Sequence, residues 1–69
     1  MSETLHGKVT EFNETRGRGV VTAHDGRAFE FHSTRIADGS RRIPVGVAVT
    51  FVTVPAIRGR YEAAEITRG

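Results

Sequence analysis

Nine arginines and one lysine, Lys8, supply the ten cations of this 69-residue chain, against eight carboxylates. A guanidinium presents a planar fork that grips phosphate or carboxylate with two hydrogen bonds and stacks on flat rings. The bias fits a nucleic-acid partner, while a coding preference for arginine would give the same count. Other chemistry finds little to work with. The chain has no cysteine, which removes thiol nucleophiles, disulfides and Cys/His zinc sites. His6, His24 and His32 are too scattered along the sequence to spell a metal site. Ser33 follows His32 directly, so on a strand their side chains leave opposite faces and form no nucleophile–base pair. Gly17-x-Gly19 lacks the Lys-Ser/Thr and the helix of a phosphate-binding loop, and instead permits tight strand curvature. No catalytic residue, metal or cofactor is expected.

The elements that must carry these cations are short strands. Gly and Pro punctuate the chain every ten residues or so, and β-branched residues fill the intervals. Lys8–Phe12 is the first predicted strand, ending at the turn Asn13-Glu14-Thr15. Gly19–Ala23 is the second, closed by Asp25-Gly26, a two-residue hairpin signal. Ala28–His32 alternates cleanly, with Phe29 and Phe31 on one face and Glu30 and His32 on the other. A longer connection runs from Ser33 to Pro44. Val47–Val54 is the longest and most apolar strand, stopped by Pro55. The Arg58-Gly59-Arg60 loop leads into Tyr61–Thr67, which is too short and uncapped for a helix. Five short strands in one small domain, residues 1–69, predict an all-β, antiparallel barrel, because closure removes exposed edges.

Hydrophobic residues at 38% and charged residues at 26% are a globular balance. No apolar run reaches the ~18 residues of a membrane span. The start Met1-Ser2-Glu3-Thr4 lacks the regions of a signal peptide, which predicts a cytoplasmic protein with no membrane partner.

The order of features resembles the cold-shock domain family, five-stranded barrels of OB type. The family's opening G-K-V-K-W-F-N is similar to Gly7-Lys8-Val9-Thr10-Glu11-Phe12-Asn13. Its first ribonucleoprotein motif, K-G-F-G-F-I, resembles Arg16-Gly17-Arg18-Gly19-Val20-Val21, and its second, V-F-V-H-F, resembles Phe29-Glu30-Phe31-His32-Ser33. Ile36, the run Gly46-Val47-Ala48-Val49-Thr50-Phe51, and Ala64 with Ile66 fit the remaining pattern. The resemblance covers residues 6–67 and implies an inner set of Val9, Val21, Phe29, Phe31, Val49, Phe51 and Ile66.

It also implies a face for single-stranded nucleic acid across the first three strands, and there the chain departs from the family. Glu11 stands at the Trp position, Arg18 and Val20 at two Phe positions, Glu30 and Ser33 at two more, and Ser40 near the loop aromatic. His32 remains as a ring, with Phe12 at the edge. Stacking a base on an aromatic contributes about 1–3 kcal/mol, so four lost platforms cost at least ~4 kcal/mol, roughly a thousandfold in affinity. What remains is charge: Lys8, Arg16, Arg18, Arg58 and Arg60 against Glu11 and Glu30. Arg18 is expected chiefly to pair across strands with Glu11 or Glu30. Arg58 and Arg60, on a loop tip, are freer to bind.

The expected binding set is therefore Lys8, Phe12, Arg16, Arg18, His32, Arg58 and Arg60. The expected function is weak, electrostatic binding of single-stranded RNA or DNA by a monomer. The alternative is a protein-interaction module of the same fold, with a partner surface near Val20, Val52 and Val54, which strand parity turns outward.

Overall fold

The computed structural model describes residues Thr4–Gly69; the start Met1-Ser2-Glu3, on which the expectation about a leader rests, lies outside the described residues. Five strands follow in order: β1 Leu5–Asn13, β2 Arg18–Ala23, β3 Ala28–His32, β4 Ala48–Pro55 and β5 Tyr61–Arg68. Short 3-10 turns occupy Ser33–Arg35 and Ile57–Gly59. The strands close into a barrel in the order β1-β2-β3-β5-β4, so the protein is an all-β, OB-type barrel. Tyr61–Arg68 is extended, as the weakness of its helix signals predicted. None of the helices among the described residues is long and apolar enough to cross a membrane.

The closure differs from a wholly antiparallel sheet. β3 and β5 meet in parallel, with Glu30 opposite Glu62, and Ile36 bridges Ile66 in the same sense. The Asp25-Gly26 connection is also wider than a two-residue turn. Residues His24 to Arg27 span it, with the Ala23 N–H donating to the Arg27 carbonyl at 2.8 Å. Asp25 sets this loop, accepting the Arg27 backbone N–H at 3.1 Å and its Nε at 2.7 Å. The first of these bonds is the main reason the Asp25 carboxyl titrates below its ordinary value. Pro55, expected to end the fourth strand, is that strand's last residue, opposite Tyr61.

Inside lie Val9, Val21, Phe31, Val49, Phe51 and Ile66, six of the seven expected core residues. Phe29 is half-buried: its ring packs 5.8 Å from Phe51 while the Arg27 guanidinium lies 5.5 Å from its centre. Ile43, which no strand pattern marked, is buried with them. The long connection delivers it by returning to the barrel through Gly46 and Val47, whose backbones bond Val9 on both sides at 2.7 and 3.1 Å. A surface ion pair, Arg42–Glu14 at 3.1 Å, joins this connection to the β1–β2 turn.

Candidate functional site

Alternation from Val9 would aim Glu11 inward along with it. A β-bulge prevents this. Val9 faces Val21 but Glu11 faces Val20, so Thr10 is the extra residue in β1. Its hydroxyl lies 3.3 Å from the Val20 carbonyl and 3.0 Å from the Thr22 hydroxyl, which anchors the kink. Beyond it the parity is reset, with Glu11 exposed and Phe12 half-buried.

Register then fixes three rows across the outer face of β1, β2 and β3: Lys8, Thr22 and Ala28; Glu11, Val20 and Glu30; Asn13, Arg18 and His32. The inner counterpart of the last row is Phe12, Gly19 and Phe31. The two rings stack at 6.0 Å and 16°, and Gly19 lets them do so, because a Cβ there would meet Phe31 at 2.7 Å and Phe12 at 2.9 Å. Phe12 is thus tied to the barrel interior more than to the outer surface.

Two open clefts share Arg18 and Glu30 and so join into one trough. The first, about 380 Å³, lies toward the β1–β2 turn between Glu11, Phe12, Arg16 and Arg18. The Asn13 side chain shapes that turn by accepting the Arg16 N–H at 3.1 Å, and Gly17, at φ 63°, completes it. The second, about 430 Å³, lies toward the β4–β5 loop between Arg18, Phe29, Ile57, Arg60, Tyr61 and Glu62. The loop is held by the Ala56 N–H donating to the Arg60 carbonyl at 2.7 Å, with Arg58 left-handed at φ 61° ahead of Gly59 at φ 72°.

Of the expected residues, the trough gathers Phe12, Arg16, Arg18 and Arg60. His32 borders it, across from Arg18, and lines a neighbouring hollow with Ser40 and Arg41. Its Nδ1 accepts the Thr34 backbone N–H at 3.3 Å, which leaves the Nε2 edge of this exposed ring free. Lys8 stands at the far end of the face and Arg58 at the loop tip, both exposed and outside the clefts.

The expected cross-strand pair of Arg18 is not formed at ion-pair distance. Among the described residues the ion pairs are Arg27–Asp25 and Arg42–Glu14, and Arg18 joins neither Glu11 nor Glu30. Register sets Arg18 directly opposite Asn13 and His32, with both carboxylates on the diagonal. The apolar surface also differs from expectation. Val20, Val52 and Val54 are half-buried, while the exposed large hydrophobics are Val45 at 61%, Ile57 at 81% and Tyr61 at 59%.

Glu62 and Ile57 carried no signal in the sequence, since only the closure of the barrel brings the start of β5 beside β3. Tyr61, the chain's single tyrosine, is exposed at the start of β5. Among the described residues no three His, Asp or Glu side chains converge as a metal site.

The chain is 35% identical over 63 residues to Cold shock protein 1 of Arabidopsis thaliana, a match covering 88% of this chain and 21% of that relative. The chain thus spans about a fifth of that protein's length. No family model matches.

Proposed function

We propose that the chain is a cold-shock-like domain that binds single-stranded RNA or DNA weakly, through arginine and phosphate, without catalysis. It acts as a cytoplasmic monomer. The observation carrying this reading is the trough across β1–β3, where Arg16, Arg18 and Arg60 line a continuous surface and none of them is in an ion pair among the described residues. An unpaired guanidinium keeps its whole fork available for a phosphate. The Arabidopsis relative, a cold shock protein by name, adds support from similarity.

Binding by phosphate contact releases counterions, so affinity for a single strand falls with salt at about −0.7 per neutralised phosphate in a log–log plot. With Arg16, Arg18 and Arg60 of the trough engaged, and Lys8 or Arg58 reached at its ends, the expected slope is about −2 to −3 for a short oligonucleotide followed by amide chemical shifts. Replacing Arg58 and Arg60 together with Ala should flatten it by about one unit or more. Binding that ignores salt would refute the electrostatic mechanism.

A second reading, a protein-interaction module, draws on the exposed Ile57 and Tyr61. Absence of any shift with millimolar oligonucleotide at low salt would favour it.

A further inference from the structure

The parallel seam between β3 and β5 sets Glu30 directly opposite Glu62. Like charges facing each other across strands oppose folding. Neither carboxylate is relieved by an ion pair among the described residues. Both line the cleft that also holds the exposed Ile57 and Tyr61, with Arg18 and Arg60 at its walls. The cleft thus offers one ligand two carboxylate acceptors, an exposed ring and two guanidinium groups.

The chemistry of the lining defines that ligand. An ionised carboxylate only accepts hydrogen bonds. The ring of Tyr61 offers a stacking face and Ile57 an apolar neighbour, while the guanidinium groups can take a phosphate. At about 430 Å³ the cleft lies within the range of small-ligand sites, roughly 300–1,000 Å³. We infer that this cleft receives one base of the bound single strand and selects bases that carry an amino group, namely cytosine, adenine or guanine, over uracil or thymine. The inference rests on the nucleic-acid reading above and adds a base preference to it. Cytosine turns an amino group toward an acceptor at the position where uracil turns a carbonyl oxygen, and a carbonyl beside a carboxylate is repelled.

Tyr61 is the chain's single tyrosine and there is no tryptophan, so intrinsic fluorescence reports this cleft alone. Hexamers of cytidylate and uridylate, titrated at pH 7.5 and low salt, should quench it with half-saturation about tenfold lower for the cytidylate. Amide shifts at Arg16 should follow binding of either hexamer in the rest of the trough. Glu62→Gln supplies an amide that can donate to the uracil carbonyl, so the ratio should shrink to about threefold or less. Tyr61→Phe should keep the selectivity, and Tyr61→Leu should weaken cytidylate binding by about tenfold, both read from amide shifts.

Equal binding of the two hexamers, or a preference for uridylate, would overturn this inference while leaving the proposed function standing. The same holds if amides of the trough shift and Tyr61 fluorescence does not. If neither hexamer moves any signal, both fail together. Saturation of the Tyr61 signal by a short lysine- and arginine-rich peptide, with no response to either hexamer, would assign the cleft to a basic protein partner instead.

Discussion

Replacing Gly19 with alanine adds one carbon beneath the binding face at its tightest point. A Cβ built there lies 2.6 Å from the Glu11 carbonyl oxygen, 2.7 Å from the tip of the Phe31 ring and 2.9 Å from the Phe12 ring. Carbon atoms in contact prefer about 3.5–4.0 Å, so each ring must retreat by roughly 0.6 Å or more. Phe31 is 1% exposed and has nowhere to go, and the Glu11 carbonyl cannot withdraw without parting β1 from β2. Overpacking of this kind costs about 1–3 kcal/mol, offset by the ~0.5–1 kcal/mol that a strand gains when glycine is removed. The net is a loss of about 1–2 kcal/mol. In a domain of 69 residues that lowers Tm by about 5–15 °C. Urea unfolding should show a lower midpoint at unchanged slope. Phe12→Leu removes one of the two obstructing rings, so in its presence Gly19→Ala should cost less, with a coupling of at least ~0.5 kcal/mol. An alanine variant as stable as the parent, or two substitutions that simply add, would refute the reasoning.

Other outcomes follow from the same geometry. Ile43→Ala opens a cavity at a 3% exposed site and should cost about 2–5 kcal/mol, a large share of the ~3–10 kcal/mol typical of a chain this size, measurable by urea denaturation. Arg42→Ala breaks only an exposed ion pair and should change stability by less than ~1 kcal/mol. Glu65 holds φ 50° at the bulge in β5, so Glu65→Gly should raise Tm by a few degrees, as the relief of about 1–2 kcal/mol exceeds the entropic cost of glycine; a lower Tm would contradict this. Asp25 and Asp38 titrate below 3.8, the first mainly through the Arg27 N–H and the second mainly through the Ser40 hydroxyl. Depressed carboxyls contribute stability that is present above their unfolded pKa and lost as pH falls through the folded one, so stability should decline below about pH 4. Asp25→Asn and Asp38→Asn together should reduce that decline in an acid titration of Tm.

The sequence by itself determined the five strands, and the family resemblance it carries pointed to six of the eleven buried hydrophobic residues among those described. The strands follow from local signals: Gly and Pro end each segment, and period-two alternation sorts Phe31 from Glu30 within one strand. The resemblance also implied that Glu11, Arg18 and Glu30 stand where the family pattern has rings, and each of these positions was legible one residue at a time. What it left open depended on partners distant in the chain. The bulge at Thr10 turns Glu11 outward and Phe12 inward, and a bulge exists only between two strands. Register places Arg18 opposite Asn13 and His32 and only diagonally from both carboxylates, and among the described residues it forms no ion pair with either. The parallel closure of β3 on β5 sets Glu62 beside Glu30 and Tyr61 in the same cleft as Arg18. Barrel closure is a property of the whole sheet, so the composition of the site's second half was decided by tertiary structure alone.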